Sequence, residues 1–193
     1  MQVCCVNFVK IASYQLPMKH LFLKYSWLPV LLLFASCMEE PDYPDKPQIG
    51  FNYISQQQKQ DALGNAVIEV TVAISFKDGD GNLGLSEKDT LAPYNDTPGN
   101  KFKNNYFVDA FIQLKGQTEF QPYTPFIPYG GRFLRLAPDS GSRTLEGELR
   151  YKFTVLPGFD LQTGDKMKFK IQIADRSLNL SNTIETDPIT LQF

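Results

Sequence analysis

Apolar and polar residues alternate with a period of two along this chain, and this pattern constrains the fold more than any other feature. Successive side chains of a β-strand point to opposite faces, so the alternation predicts strands that are buried on one face and solvated on the other. The strongest series of apolar positions are Ile68, Val70, Val72, Ile74 and Phe76; Leu149, Tyr151, Phe153 and Val155; and Met167, Phe169, Ile171 and Ile173.

Four further segments have a weaker form of the pattern, at 48–55, 106–115, 132–137 and 183–192. No segment has a convincing helical period, and Gly, Pro, Asn and Asp residues separate the segments as turn formers do. About seven strands spaced in this way predict an all-β fold, an immunoglobulin-like (Ig-like) antiparallel β-sandwich. The domain has no cysteine pair and no core tryptophan, so it is not of the antibody type.

The first 36 residues predict an export signal. Lys19 and Lys24 precede an apolar run at 27–35, and a basic region followed by a short apolar region is typical of a signal peptide. As a helix this run would span about 14 Å, roughly half of a bilayer core, which is too short for a permanent span. Met18 would give a signal of normal length, so we expect translation to begin there.

The string Phe34-Ala35-Ser36-Cys37 ends this signal and resembles the lipobox of bacterial lipoproteins. The resemblance implies cleavage before Cys37, with a diacylglycerol and an N-acyl lipid attached to that residue. More than one acyl chain anchors a protein stably to a membrane. The protein would then reside in the cell envelope, at the periplasmic face of the outer membrane or on the cell surface. The alternative is an ordinary secretory signal followed by an unrelated cysteine.

Residues 37–47 predict a tether that leads to a domain at 48–193. Prolines make such a segment extended and semi-rigid. Acidic residues directly after the cysteine also resemble the surface-export signal of Bacteroidetes-type lipoproteins, and a plain solvated linker is the alternative. The residues concerned are Glu39, Glu40, Asp42 and Asp45, with Pro41, Pro44 and Pro47 between them.

Composition excludes several functions for the chain after the signal. From residue 37 onward, 16 basic side chains face 21 acidic ones, because three of the 19 basic residues lie earlier. This excess of negative charge argues against a nucleic-acid partner, which needs a basic face. The cysteines are Cys4, Cys5 and Cys37, and the histidine is His20. The domain therefore has no internal disulfide, no thiol nucleophile, no Ser-His-Asp site and no histidine-containing zinc site.

Three segments carry a family resemblance: FKDGDGNLGL at 76–85, LEGEL at 145–149 and IADRSLNLSN at 173–182. Together they resemble a group of Bacteroidetes lipoproteins in which an Ig-like domain follows the lipidated cysteine. The resemblance covers most of the chain after Cys37. It implies a fold and a location, and it implies no activity. The third segment also resembles the last strands of bacterial Ig-like repeats, which often carry an Asp-x-x-x-Asn turn.

The loop from Asp78 to Asp89 is the first candidate site. Asp78, Asp80 and Asn82 place oxygen ligands at every second residue, as loops that bind hard cations do. Asp89 is twelfth from Asp78, where an EF-hand has its bidentate acid. The sixth position is Leu83 instead of glycine and a strand precedes the loop, so an EF-hand is not expected. A looser calcium loop and a tight Asp-Gly turn both stay open.

The expected topology brings a second polar loop to the same place. In Ig order, 66–77 is strand B and 166–174 is strand F, and the loops after these strands emerge at one end. Asp175 and Asn179 should therefore lie near the first loop. Carboxylates so close together repel unless they are solvated, paired with Arg176 or bridged by a cation such as Ca²⁺.

The aromatic segment at 120–129 is the other candidate site. Exposed rings there could stack on sugars or dock a protein partner. Alternatively, the segment is a proline-rich connection that packs its rings onto the sheet. The two interpretations differ in whether Tyr123, Phe126 and Tyr129 form a flat exposed platform or are buried.

These features favour a binding role over catalysis. We expect a non-enzymatic cell-envelope lipoprotein that acts as a binding or accessory module. Its partners would be the membrane, through the lipid anchor, and an envelope protein or a glycan. A carbohydrate-binding surface lipoprotein is the alternative. A glycosidase is less favoured, because it would need two carboxylates about 5–10 Å apart in a cleft.

Overall fold

The computed structural model describes residues 41–137, 144–158 and 160–193. The predicted signal peptide and Cys37 lie outside the described residues. Within the described ranges, no helix is long and apolar enough to cross a membrane. The helical element found in them is a 3₁₀ turn at Lys101–Lys103.

The described strands, in chain order, are β1 (Gln48–Gln60), β2 (Ala66–Asp78), β3 (Tyr106–Gln113), β4 (Gln121–Tyr123), β5 (Leu145–Val155), β6 (Lys166–Ile173), β7 (Ile184–Glu185) and β8 (Ile189–Thr190). One antiparallel sheet has the order β1-β2-β5. The other has the order β4-β3-β6-β7, and β8 also pairs with β6. The two sheets pack together as a β-sandwich, so the predicted all-β sandwich is confirmed.

The core lies between the inner faces of the two sheets. Rings from opposite sheets meet there: Tyr106 stacks on Tyr151 with 4.0 Å between ring centroids. Phe169 meets Phe153 edge to face at 4.9 Å. Removal of this apolar surface from water is the main force that holds the sheets together. The wholly buried members of the predicted series are Ile68, Val70, Val72 and Ile74 on β2, Val155 on β5, and Met167, Phe169, Ile171 and Ile173 on β6.

The prediction of a strand at 132–137 is wrong. No strand forms in this segment, although Gly131 just before it makes an isolated bridge with Tyr106. The backbone of the segment pairs in part with an irregular loop: the Leu85 N–H donates to the Phe133 carbonyl at 3.1 Å, and the Leu136 N–H donates to the Leu83 carbonyl at 3.2 Å.

The Asn105 side chain adds two hydrogen bonds. Its Oδ1 accepts a hydrogen bond from the Phe133 N–H at 2.8 Å, and its Nδ2 donates to the Phe133 carbonyl at 3.0 Å. A loop and one buried amide thus provide hydrogen-bond partners for this backbone without a strand ladder.

The weak strand predicted at 183–192 forms as two short pieces, β7 and β8, with a break at Thr186. At the break, the Thr186 hydroxyl accepts a hydrogen bond from the Phe169 N–H at 3.1 Å. The Thr186 side chain therefore accepts a hydrogen bond that a backbone carbonyl would accept in a continuous strand. The predictions at 48–55 and 106–115 are confirmed by β1 and β3. β4 lies in the aromatic segment, where the alternation does not predict a strand.

Candidate metal centre

Two aspartates continue the apolar series of β2 and β6. Asp78 is the next inward position after Phe76, and Asp175 stands in the same relation to Ile173. Side chains two residues apart in an extended chain share a face, so both carboxylates point into the sandwich. Asp78 is 0% exposed and Asp175 is 2% exposed. Each sheet therefore brings one buried carboxylate to the same end of the core, called here the metal end.

Three carboxylates meet at the metal end. One oxygen from each of Asp78, Asp80 and Asp175 lies within 4.8 Å of the other two. Oxygens on opposite sides of a Ca²⁺ ion lie about 4.8 Å apart, since each Ca–O distance is about 2.4 Å. A single ion could therefore contact all three carboxylates. The prediction that the two loops lie together is confirmed by this arrangement.

Residues 78–82 form the Asp78 turn. The Asn82 N–H donates to Asp78 Oδ2 at 2.9 Å. Gly81 has a φ of 66°, a left-handed conformation that glycine adopts without a steric penalty. The turn reverses the chain after β2 and places Asp80 beside Asp78. The turn chemistry expected from the Asp-Gly and Gly-Asn steps is therefore present together with the carboxylate cluster.

Residues 175–179 form the Asp175 turn, which uses the same device. The Asn179 N–H donates to Asp175 Oδ1 at 2.7 Å, and the Asn179 side-chain amide donates to Oδ2 at 2.8 Å. Asn179 therefore orients the Asp175 carboxylate through its backbone N–H and its amide nitrogen. Each carboxylate oxygen still has a second lone pair for a cation.

Backbone and side-chain hydrogen bonds join the two turns directly. Leu83 and Asp175 form an isolated antiparallel bridge. The Arg176 N–H donates to the Asn82 carbonyl at 3.3 Å, and Asn82 Nδ2 donates to Ser177 Oγ at 2.9 Å. The two sheets are thus connected at the metal end by polar contacts, in addition to the apolar core.

The Asp78 carboxylate is only half satisfied by hydrogen bonds. Its Oδ1 is buried and has no hydrogen-bond partner among the described residues. Burial, and then the negative charge of Asp80, raise the pKa of Asp78 to about 7. Burial and the charge of Asp175 also raise the pKa of Asp80. A bound cation would compensate the lost hydration of these carboxylates and their mutual repulsion.

Asn82 adds a neutral oxygen to the centre. Its Nδ2 donates to Asp80 Oδ2 at 2.6 Å, which fixes the orientation of the amide. Its Oδ1 is buried and accepts no hydrogen bond from the part of the chain that the structure describes. Side-chain amide oxygens are ligands that Ca²⁺ takes, so Asn82 is a candidate ligand through Oδ1.

Asp89, a candidate ligand from the sequence, lies outside the cluster of Asp78, Asp80 and Asp175. Both of its carboxylate oxygens lie 2.9 Å from the Arg135 guanidinium, and the Ser86 N–H donates to Oδ2 at 2.7 Å. An arginine 46 residues away along the chain therefore neutralises this acid. Such a pairing depends on tertiary structure, and the spacing from Asp78 contains no sign of it.

The three aromatic side chains do not form a flat platform. Phe126 is 100% exposed, whereas Tyr129 is 6% exposed and stacks on Phe153 at 4.9 Å. Tyr123 is partly buried beside the groove that Phe126 and Leu156 line. The packing interpretation therefore holds for Tyr129, and only Phe126 is fully available to a partner.

Comparison of the chain with protein-family models, with curated proteins and with solved structures found no match. The features that could have revealed the centre are in the sequence itself. The apolar series of β2 and β6 each run into an aspartate without changing phase. An Asp-x-x-x-Asn pattern then follows each strand, at 78–82 and at 175–179.

Proposed function

We propose that this protein is a non-enzymatic, lipid-anchored module of the cell envelope whose β-sandwich holds a Ca²⁺ ion at the metal end. The ligands would be Asp78, Asp80, Asp175 and the side-chain oxygen of Asn82. One observation carries the metal centre: Asp78 Oδ1 is buried, lacks a hydrogen-bond partner among the described residues, and belongs to a carboxylate that clusters with two others.

The donor set fits a hard cation. All four side chains offer oxygen, and the chain after Cys37 contains no histidine and no further cysteine. Carboxylate and amide oxygens suit Ca²⁺ and Mg²⁺, and Ca²⁺ accepts the irregular geometry that two separate turns provide. Ca²⁺ takes about 6–8 oxygens, so backbone carbonyls or water would complete its shell. A Kd of about 10⁻⁴–10⁻³ M is usual for extracellular calcium modules.

The ion would act as a staple between the two sheets. Asp78 and Asp80 follow β2 of one sheet, and Asp175 follows β6 of the other. These ligands come together only in the folded chain, so the bound ion would stabilise the fold.

The strand order supports an Ig-like topology, because β1-β2-β5 corresponds to A-B-E and β4-β3-β6-β7 to C′-C-F-G.

A binding role is supported by the end of the sandwich opposite the metal end. Phe126, Ile127 and Leu156 are 100%, 58% and 41% exposed there. Leu156 follows the end of β5, which pairs with the start of β2, whereas Asp78 lies at the other end of β2. Exposed apolar side chains gathered in one place are typical of an interaction surface.

Calcium binding is tested by isothermal titration calorimetry on the full chain purified in detergent. We expect Ca²⁺ to bind and Mg²⁺ to bind more weakly. Asp78→Asn should abolish binding, because it removes the buried charge while keeping the shape of the side chain. Asp61→Asn is the matched control, since Asp61 begins another Asp-x-x-x-Asn turn that lies outside the cluster. Equal binding by the wild type and Asp78→Asn would refute the metal centre.

The lipid anchor is tested separately by growing cells with an alkyne-tagged fatty acid. The support for this anchor is the basic and apolar signal that ends at Cys37. The wild-type chain should take up the label, and Cys37→Ala should not. Label on the Cys37→Ala chain would contradict lipidation at this residue and would leave the calcium result unaffected.

A further inference from the structure

Residues 41–47, called here the strap, lie against the metal end instead of extending freely as a tether. Thr144 Oγ donates a hydrogen bond to the Pro41 carbonyl at 3.2 Å. The Tyr43 hydroxyl donates to Glu146 Oε2 at 2.5 Å, and the Lys77 ammonium lies 4.9 Å from the centre of the Tyr43 ring. The strap is therefore held by the end of β2 and the start of β5.

The strap also contacts the backbone between two of the proposed ligands. The N–H of Gly79, which separates Asp78 from Asp80, donates to the Pro44 carbonyl at 3.0 Å. A Cβ atom on Gly79 would lie 2.1 Å from the Tyr43 carbonyl oxygen. The strap thus occupies the space where any other residue would have its side chain. The backbone conformation that places the two ligands is the one that binds the strap.

The charge of the strap also makes its docking easier when a cation is bound. Asp45 lies in the strap directly after Pro44, whose carbonyl accepts the hydrogen bond from the Gly79 N–H between Asp78 and Asp80. Without a cation, docking of the strap brings a further negative charge towards three carboxylates. A bound divalent cation cancels most of the charge of these carboxylates, so the repulsion that opposes docking of the strap falls.

We propose that Ca²⁺ binding at the metal end and docking of the strap are coupled, so that calcium fixes the segment preceding the sandwich to the domain. The inference rests on the proposed metal centre. The bound ion holds the Asp78 turn in the conformation that presents the Gly79 N–H to Pro44. Without the ion, repulsion among the carboxylates opens the turn and releases the strap. Coupling of this kind is reciprocal, so the docked strap also strengthens calcium binding.

Calorimetry on the full chain tests the effect of the strap on calcium. Tyr43→Ala removes the contacts with Glu146 and Lys77 but no proposed ligand. We expect its Kd for Ca²⁺ to rise about fivefold or more, within the usual range of coupling. Tyr53→Ala is the matched control, because Tyr53 is a partly exposed tyrosine of β1 outside the strap. Equal affinity of Tyr43→Ala and the wild type would overturn the coupling.

Fluorine NMR tests the effect of calcium on the strap. 3-Fluorotyrosine placed only at position 43 reports whether this ring is docked, and the same chain in urea gives the signal of the released ring. We expect the signal to move towards the released position when calcium is replaced by chelator. A signal that stays docked in chelator, in a chain that binds calcium, would overturn the coupling alone. Failure of the chain to bind calcium would overturn both the metal centre and the coupling.

Discussion

The two ends of β2 carry the same sequence motif in two different states. Asp61–Asn65 precedes the strand and Asp78–Asn82 follows it, both as Asp-x-x-x-Asn. In the first turn, Asp61 Oδ1 accepts from the N–H groups of Leu63 and Asn65, and Oδ2 accepts from the Asn65 amide at 2.8 Å. Both carboxylate oxygens are satisfied within five residues, and this turn is complete without a ligand.

In the second turn the asparagine side chain bonds elsewhere. Asn82 Nδ2 donates to Asp80, so the Asp78 carboxylate accepts one hydrogen bond from the described part of the chain, from the Asn82 N–H. Hydrogen bonds from Asn65 lower the pKa of Asp61, whereas burial raises the pKa of Asp78 to about 7. The partner of the asparagine side chain therefore decides between the two states, because Asn179 bonds to Asp175 in a turn that also faces the core.

Truncation of the core should produce the largest effect and should not depend on either turn. Phe169 is fully buried between Tyr129 and Phe153. Phe169→Ala should lower the free energy of unfolding by about 3–5 kcal/mol. Lys166→Ala, at an exposed position on the same strand, should change it by less than about 0.5 kcal/mol. Urea unfolding measures both variants.

The cost of Phe169→Ala should be the same with calcium and with chelator, because distant sites contribute additively. A cost that changed with calcium would show that the metal end and the core cannot be treated separately. Equal costs of Phe169→Ala and Lys166→Ala would show instead that the assignment of inward and outward faces on β6 is wrong.

Calcium should distinguish the two turns. At about 100 times the Kd, a bound ion adds about 2.7 kcal/mol, or about 5–10 °C in melting temperature for a domain of this size. Asp78→Asn should lose this shift and, in chelator, melt at or above the wild-type temperature, since it relieves the repulsion. Asp61→Asn should keep the full shift. The comparison between the turns fails if Asp78→Asn still responds to calcium in thermal melts.

The matched asparagines sharpen the comparison. Asn82→Asp adds a fourth carboxylate to the centre, so it should enlarge the difference in melting temperature between calcium and chelator by a few degrees. Asn65→Asp adds the same charge to the solvated turn and should leave that difference unchanged. If both variants changed the difference in melting temperature equally, the net charge of the protein, and not the metal centre, would control the response to calcium.

The smallest effect should be the pH dependence at the solvated turn. The pKa of Asp61 is below its ordinary value of 3.8 in the folded chain. The turn therefore adds stability above pH 3.8, and this contribution falls as the pH drops through the folded pKa. Asp61→Asn should be less stable than the wild type at neutral pH, and the difference should shrink in acid. Urea unfolding in chelator checks this, and a difference that grew in acid would contradict it.

The sequence predicts the strands well where burial is periodic. β2, β5 and β6 follow directly from their alternating series, because a strand with one buried face repeats every two residues. The segment at 132–137 has a similar composition, but its backbone pairs with an irregular loop at 83–85 and with the Asn105 side chain, 28 residues from Phe133. The alternation of apolar and polar residues does not show whether a backbone pairs with a strand or with a loop and a side chain.

The metal end is predicted in part for a comparable reason. The topology of a sandwich brings Asp78 and Asp175 together, and the spacing of oxygen ligands selects Asp80 and Asn82. Two features depend on contacts far apart in sequence, namely the capture of Asp89 by Arg135 and the docking of the strap onto Gly79. No local pattern encodes either of them.

The strap also has a mechanical consequence. A pull on the chain from its N-terminal side reaches the bonds at Thr144, Glu146 and Gly79 before it reaches the paired strands β1 and β2. These contacts break one after another, and the peeled segment releases about 20 Å of chain between residues 41 and 47. We therefore expect the strap to yield as a weak first element under tension, while the ladder that starts at Gln48 stays intact.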